Sequence, residues 1–339
     1  MPLPTGDVIG IMMDNLKKRK SVFPISRRKA VKWSKKLDIP IGGETILYTG
    51  SMYQLLPYMI AAVKRMGKME DSFLSKFVGM GRFFNKFFNV SAIMFRPKRA
   101  DHKRFRRIVR DIARLLMQAE VEFGYLYKQE LYAGALAFDM GADETFEAHA
   151  RRVYDLLKEN NVRSLITIDP HTTNVIRSVY PTIIDGFDLE VKSYLEVLAE
   201  KDNLRPINEI SGEVAIHDSC VYARYENVIE EPRKLLERAG YTIKEPKDNR
   251  DLTHCCGGPI ESLFPSMAHE IGGKRVKQLQ IANGGSVATM CPICMATLQQ
   301  AANGDLNIDD ISSFLVKAFC EPEEKTKKKK GAEEKRSES

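Results

Sequence analysis

Five of the six cysteines in this sequence lie between positions 220 and 294 at regular spacing. Cys220 is followed after 34 residues by the adjacent pair Cys255 and Cys256, and after a further 34 residues by Cys291 and Cys294 of a C-x-x-C turn. Such a turn lets two sulfurs bind one centre, and thiolates are the ligands that iron–sulfur clusters and soft metals prefer. We therefore predict that the five cysteines converge on one metal centre.

The adjacent pair places a condition on the backbone. Neighbouring side chains normally point apart, so Cys255 and Cys256 can both reach one centre only if the chain bends sharply. Gly257, Gly258 and Pro259 follow directly, and glycine tolerates positive φ angles and close approach of the backbone to a ligand. Amides of such a loop can also donate hydrogen bonds to the sulfurs of a cluster. The sequence thus predicts a tight loop around the centre.

Other uses of cysteine stay open at this point. A C-x-x-C pair also occurs in zinc sites and in thioredoxin-type motifs. Structural zinc takes four ligands, one fewer than this chain offers, and a disulfide relay does not need five sulfurs on three turns. We favour an iron–sulfur cluster over zinc and over no metal. Cys320 lies outside the pattern and is predicted to be a small buried apolar side chain.

Two histidines flank the cysteine positions. His217 precedes Cys220, and His254 directly precedes Cys255. The ordinary pKa of histidine lies near neutrality, so either ring can protonate a leaving thiolate. For His217 we favour a histidine with satisfied hydrogen bonds at the end of a strand. His254 is therefore the candidate catalytic residue.

An internal repeat predicts the architecture. Three pairs of segments resemble one another at offsets of 169, 123 and 122 residues: 43–51 and 212–220, 132–134 and 255–257, and 164–170 and 286–292. The first and third pairs read as a short buried strand that ends in a polar turn before a helix. Strands that alternate with helices favour parallel sheets, with sites at the carboxyl ends of the strands. We predict an α/β fold of two tandem, pseudo-repeated Rossmann-like units.

The repeat also sets the predicted boundaries. An N-terminal helical segment covers 1–40, a first unit 41–204 and a second unit 205–320, and a charged tail, predicted to be disordered, covers 321–339. In the first unit the cysteine positions are taken by side chains without a thiol, namely Ser51, Tyr132, Ala133, Asp169 and Thr172. The first unit therefore cannot hold a comparable centre. Tyr53, Tyr132 and His171 are candidates to line the emptied site as a substrate pocket.

The first unit carries an insertion at about 70–115. It combines an aromatic stretch that includes Phe73, Phe77, Phe83 and Phe88 with a basic window, 96–107, that holds seven bases and one acid. The bland interpretation is core packing with a solvated charged face. We predict instead that about 83–107 is a docking surface for a membrane subunit, an anionic membrane or an acidic electron carrier. Nucleic acid is excluded as the partner, because no nucleic-acid motif accompanies the charge.

Composition places the chain among ordinary globular proteins. It has 339 residues, of which 43% are hydrophobic and 29% charged, so it can bury a large core. No secretory signal and no stretch of 18 uncharged apolar residues is present. Few cysteines in so long a chain do not indicate a secreted disulfide framework. We expect a cytoplasmic protein, held peripherally on the inner face of the membrane where a partner anchors it.

The cysteine pattern resembles a known family. Cys220, Cys255-Cys256-Gly257 and Cys291-x-x-Cys294 are similar to the cysteine-rich CCG domain of the family that includes the B and D subunits of heterodisulfide reductase. Members usually carry two CCG domains in tandem, as the repeat predicts. The resemblance covers roughly residues 8 to 318, with a strong motif only in the second copy, as in DsrK-like members. The second linker is about one residue shorter than is usual in the family.

The resemblance implies a cofactor and partners. In heterodisulfide reductase five such cysteines hold a noncubane 4Fe-4S cluster that attacks a disulfide. The same roles would fall here to Cys220, Cys255, Cys256, Cys291 and Cys294, which would hold one 4Fe-4S cluster. The expected activity is that of an oxidoreductase subunit acting on a disulfide or thiol substrate, which could be a small protein. A ferredoxin-like or other iron–sulfur subunit would donate electrons, and a membrane subunit is a further candidate partner. A non-catalytic electron relay is the alternative.

Overall fold

The computed structural model describes residues 4–23, 25–67, 78–85 and 95–322. Within these residues two sheets form, and every strand pair is parallel. The first sheet has the order β1-β2-β3 and the second the order β5-β4-β6-β7. The strands are β1 Thr45–Tyr48, β2 Ser164–Thr167, β3 Glu190–Ser193, β4 Gly212–His217, β5 Tyr241–Lys244, β6 Ser286–Thr289 and β7 Asn307–Asp310.

Helices surround both sheets, because the strands are short and β1, β2 and β6 are buried along most of their length. In chain order they are α1 Thr5–Arg19, α2 Arg27–Ala30, α3 Met52–Gly67, α4 Val78–Asn85, α5 Arg99–Gln118, α6 Ala135–Asp139, α7 Asp143–Glu159, α8 Pro170–Asn174, α9 Tyr180–Ile183, α10 Tyr194–Ala199, α11 Glu230–Arg238, α12 Pro265–Ala282, α13 Pro292–Ala302 and α14 Ile311–Phe319. Single helical turns lie at Val31–Ser34, Tyr127–Gln129, Val175–Val179, Tyr222–Glu226, Arg250–Leu252 and Gly258–Ile260.

The predicted α/β fold of two Rossmann-like units is confirmed. Strands β1, β2 and β3 follow the same parallel order as β4, β6 and β7. Gly134 and Gly257, which the repeat aligns, have φ angles of 90° and 85°, and each leads into a helical turn. Asp169 and Cys291 also align, and each is the N-cap residue of a helix that begins with proline.

The first unit replaces one strand by a bridge. Where β5 flanks β4 in the second sheet, Gly124 flanks β1 through an isolated parallel bridge to Ile46. A side chain at position 124 would place its Cβ 1.6 Å from the Gly42 carbonyl oxygen. Only glycine allows this approach, so the edge of the first sheet depends on Gly124.

Buried polar contacts join the two units. The Tyr53 hydroxyl donates to the Asp310 carboxylate at 2.6 Å. The Arg177 guanidinium bonds the Glu226 carboxylate at 2.6 Å. Since buried charged groups are costly unless paired, the units stabilise one another through side chains that neither could bury alone.

Part of the basic window lies at this interface, so the docking prediction is wrong for Arg104 and Arg107. The apolar face of helix α5 is buried at Phe105, Ile108 and Ile112, among others. On its other face Arg104 and Arg107 bond Asp309 of the second unit at 3.3 and 3.1 Å. These two cations were misread as free, because their partner acid lies about 200 residues away in sequence.

Parts of two predictions fall outside the described residues. These are the aromatic positions in 68–77 and 86–94, and the charged tail from 323 onward. Phe83 and Phe84 are described, and both rings are largely exposed. No helix in the described part of the chain has the length and apolar character needed to cross a membrane.

A buried histidine makes the fold sensitive to acid. In α7 the His149 Nε2 donates to the Tyr132 carbonyl at 2.7 Å, and its Nδ1 has no partner. Burial lowers the pKa of His149 to about 4. The unfolded chain has the ordinary pKa near 6.5. The neutral ring therefore stabilises the fold above pH 6.5, and this contribution is lost as the pH falls towards 4.

We expect His149→Gln to flatten this acid response. Wild-type protein should lose about 2–3 kcal/mol of its free energy of unfolding through this residue between pH 7 and pH 4.5, the equivalent of roughly two pKa units. Glutamine keeps a donor for the Tyr132 carbonyl and does not titrate. Denaturant unfolding at both pH values measures the difference. An equal loss in the variant would show that His149 is not the group responsible.

Candidate metal centre

Three loops at the carboxyl ends of the second sheet carry the predicted ligands. Cys220 follows β4, Cys255 and Cys256 follow the turn Arg250–Leu252, and Cys291 follows β6. Carboxyl ends of neighbouring parallel strands meet at one edge of a sheet. The loops therefore place their cysteines on one side of the second unit.

The structure brings all five predicted ligands into one group. The Cys256 and Cys294 sulfurs lie 3.2 Å apart. The Cys220 thiol bonds Cys255, and the Cys294 thiol bonds Cys291. Cys256, Cys291 and Cys294 are buried, whereas Cys220 and Cys255 are partly exposed. The group is thus closed towards the core and open to solvent on one side. Cys320 is buried away from this group, as predicted.

Hydrogen bonds among the cysteines lower the pKa of some of these thiols and raise the pKa of others. Hydrogen bonds from the Cys220 and Cys256 thiols lower the pKa of Cys255 far below its ordinary range, and the same bonds raise the pKa of both donors. Burial opposes ionisation of Cys291, but hydrogen bonds from Cys294 and His171 outweigh it and lower that pKa too. Metal ligands must be deprotonated, and these hydrogen bonds favour that form at Cys255 and Cys291.

The adjacent cysteines sit on the sharp bend that the sequence requires. Gly257 has a φ of 85°, and a Cβ there would lie 2.5 Å from the Ala268 carbonyl oxygen. The Gly257 amide donates to the Cys255 sulfur at 3.4 Å, and the Gly258 amide to the Cys256 sulfur at 3.3 Å. Both backbone amides are therefore placed to stabilise negative charge on these sulfurs when the cysteines bind a metal as thiolates.

One buried carboxylate ties two of the loops together. Asp218, two residues before Cys220, accepts from both terminal nitrogens of Arg233 at 2.8 and 3.0 Å. It also accepts from the Arg250 amide at 2.8 Å. The Thr253 hydroxyl, two residues before Cys255, donates to the Asp218 carbonyl at 3.1 Å. The spacing between the first and second ligand loops is thus fixed by hydrogen bonds rather than by the cysteines.

The first unit contributes a side chain to the centre. His171 is buried at the start of α8 and bonds Asp139 through Nδ1 at 2.8 Å. Its other nitrogen bonds the Cys291 sulfur. Burial would lower the pKa of His171, but Asp139 and Cys291 raise it well above its ordinary value. His171 therefore lies against the ligand group and does not line an emptied pocket.

The remaining histidines take different positions. His254 is partly exposed, with Nδ1 3.0 Å from the Cys255 carbonyl oxygen. Its catalytic role stays a prediction. His217 is buried, accepts a hydrogen bond from Arg275 at Nδ1 and has no partner at Nε2. The prediction of a satisfied histidine is therefore wrong for one of its two nitrogens. Burial and the Arg275 charge lower its pKa to about 3, which leaves the ring neutral.

The matching site of the first unit is a cleft that is partly open to solvent. Ser51 and Tyr132, two of the positions that lack cysteine, line it, and Arg19, Arg27 and Lys128 make it basic. Asp169, a third such position, instead caps α8 by accepting from the Thr172 amide at 2.9 Å. Of the side chains predicted to line an emptied pocket, only Tyr132 does so, since Tyr53 bonds Asp310 and His171 faces Cys291.

Comparisons with known proteins agree with this geometry. The cysteine-rich domain CCG matches residues 214–299, which run from β4 through both linkers to the C-x-x-C turn. A probable iron–sulfur-binding oxidoreductase of Bacillus subtilis is 29% identical over 63% of this chain and 31% of its own length. The EtfAB:quinone oxidoreductase of Syntrophomonas wolfei is 26% identical over 64% of this chain and 32% of its own length.

A third relative names the sulfur chemistry. The D subunit of the dihydromethanophenazine:CoB–CoM heterodisulfide reductase of Methanosarcina barkeri is 22% identical over 61% of this chain and 54% of its own length. The chain thus spans about a third of the first two relatives and about half of the third. By its matching domain and these relatives, the chain is similar to CCG-domain iron–sulfur proteins that include the D subunits of heterodisulfide reductase.

Proposed function

We propose that the protein is an iron–sulfur oxidoreductase subunit that reduces or oxidises a disulfide or thiol substrate within an electron-transfer complex. The convergence of five cysteine sulfurs on the three loops of the matched domain carries this proposal. Their number exceeds the four ligands of structural zinc. The names of the relatives, which include iron–sulfur-binding and heterodisulfide-reducing proteins, support the same chemistry.

We propose one 4Fe-4S cluster of the noncubane type as the cofactor. Cys220, Cys255, Cys256, Cys291 and Cys294 would hold it, and the Gly257 and Gly258 amides already donate to two of these sulfurs. When bound, the cluster would supply one-electron chemistry at sulfur. Partial exposure of Cys220 and Cys255 leaves one side of the group open to a substrate or to an electron carrier.

The protein's own residues would position and protonate the substrate. His254 lies beside the exposed Cys255 and is the candidate to protonate a thiolate that leaves a disulfide. His171 and Asp139 would hold the Cys291 sulfur from the buried side. We further propose a ferredoxin-like or other iron–sulfur protein as electron donor, a membrane protein as second partner and a cytoplasmic location. One relative is named as a subunit of a reductase, which supports the proposal that this protein functions within a complex.

Anaerobic purification tests the cofactor. We expect roughly four iron and four acid-labile sulfide per chain, as in clusters with thiolate ligands. Electron paramagnetic resonance of the oxidised and reduced protein should show a signal that changes when a disulfide is added. Stoichiometric zinc without sulfide would contradict the proposal. A cluster that does not respond to any disulfide or thiol would favour the relay role, with electrons passing to a quinone or carrier.

A further inference from the structure

Beneath the cysteines lies a buried cation without an acidic partner. Arg275 in α12 is 0% exposed. Its Nη1 donates to the Asp248 carbonyl and to Gln278 at 2.7 and 2.8 Å, its Nε donates to His217, and its Nη2 has no partner. No ion pair between described residues includes it. Since an unpaired buried charge is costly, the site favours a further negative charge nearby.

Arg275 also determines which nitrogen of His217 carries the proton. A guanidinium can only donate hydrogen bonds. Its Nε lies 3.0 Å from the His217 Nδ1, so Nδ1 must accept. In a neutral imidazole the hydrogen then sits on Nε2. This Nε2–H is buried and has no partner.

One ring nitrogen of His217 lies near the cysteine group, and Arg275 already occupies Nδ1, which leaves Nε2 as the nitrogen available to the sulfurs. His217, Cys256 and Cys294 offer ligand atoms that all lie within 4.8 Å of one another. A role of His217 as a metal ligand would need the Nε2 lone pair, and hence a proton on Nδ1 that would face the Arg275 N–H. The hydrogen bond from Arg275 therefore favours donation over ligation.

We propose that His217, held in this tautomer by Arg275, donates a hydrogen bond from its Nε2–H to a sulfur of the centre bound by Cys256 and Cys294. The inference rests on the proposed iron–sulfur function. It adds a positioned donor and a buried positive charge that the cysteine motif does not contain. Hydrogen bonds and positive charge near cluster sulfurs stabilise the more negative, reduced state. The pair should therefore raise the reduction potential of the centre.

Redox titration of two His217 variants tests this. His217→Leu should retain iron and sulfide close to the wild-type content and shift the midpoint potential to a more negative value. His217→Gln keeps an N–H and should shift it less. His269→Leu, an exposed histidine on the same helix as Arg275, is the matched control and should leave the potential unchanged.

Two outcomes would overturn the inference. Loss of iron from His217→Leu as severe as from Cys256→Ala would make His217 a ligand. Full iron content with an unaltered potential would leave it only a structural role.

A second measurement does not depend on the cluster. Nitrogen NMR of protein labelled at histidine should show His217 as the Nε2–H tautomer, and Arg275→Met should release this preference. An Nδ1–H tautomer in the wild type would refute the donor geometry. Absence of iron and sulfide from the wild type would instead refute the proposed function, and the NMR result would still decide the state of His217.

Discussion

Replacing Cys291 by serine is expected to remove most of the iron and labile sulfide from the protein, whereas replacing Asp169 by asparagine should leave both near the wild-type content. The two residues occupy the same place in the two units, as N-cap of the helix that follows β2 in the first unit and β6 in the second. The Cys291 sulfur accepts hydrogen bonds from Cys294 and His171. Asp169 caps its own helix through the Thr172 amide, a role that asparagine can also fill.

Comparing the iron content of these two variants distinguishes a chain with one metal centre from a chain with two. Serine at 291 retains a polar side chain of similar size, so loss of iron would report the ligand and not the fold. Circular dichroism and unfolding curves check that both variants are folded. Parallel losses of iron in Asp169→Asn and Cys291→Ser would show that the first unit also holds metal, contrary to the single-site prediction.

The arrangement of the ligand loops could be predicted because each depends on local sequence. The bend at Gly257 and Gly258 follows from two glycines after an adjacent pair of cysteines. The repeat aligns Gly134 with Gly257, and both have the left-handed backbone that leads into a turn. Such signals lie within a few residues of the feature they determine, so they can be recognised in a single sequence without a structure.

Residues that support the centre from a distance could not be predicted. Arg275 reaches His217 across 58 positions, and His171 reaches Cys291 across the interface between units. No periodicity or motif marks such pairs, since each is defined by packing. The same limit explains the misread basic window, because Asp309 is brought to Arg104 and Arg107 only by the tertiary fold.

The first unit has a structural reason to persist without cysteines. It provides His171 to the Cys291 sulfur and Tyr53 to Asp310, and its helix α5 packs against α14. These interface contacts therefore do not require metal ligands in the first unit. This arrangement predicts that the second unit depends on the first for its geometry, even though all the candidate ligands lie in the second.

The largest expected effect on stability comes from Arg233. It is 3% exposed and bonds both oxygens of Asp218 and both oxygens of Glu245. Arg233→Met would leave the Asp218 carboxylate buried with only the Arg250 amide as a charge-stabilising donor. Removal of one partner from a buried ion pair costs about 3–5 kcal/mol, so the free energy of unfolding should fall by that amount.

The Arg233→Met substitution should also alter the positions of the cysteines. Asp218 fixes the distance between the Cys220 loop and the loop of Thr253, Cys255 and Cys256. When its guanidinium partner is missing, these loops should separate and the iron content should fall below that of the wild type. Denaturant unfolding and iron analysis under anaerobic conditions measure the two effects on one preparation.

Two further variants serve as controls for Arg233→Met. Lys244→Met removes an exposed ion pair with Glu213 in the same unit and should cost less than about 1 kcal/mol. In Arg233→Met combined with Asp218→Asn the buried charge is gone, so part of the lost stability should return, because much of the penalty is the unpaired carboxylate. A single variant within about 1 kcal/mol of the wild type, or a double variant less stable than the single one, would show that the Arg233–Asp218 pair does not hold the ligand loops together.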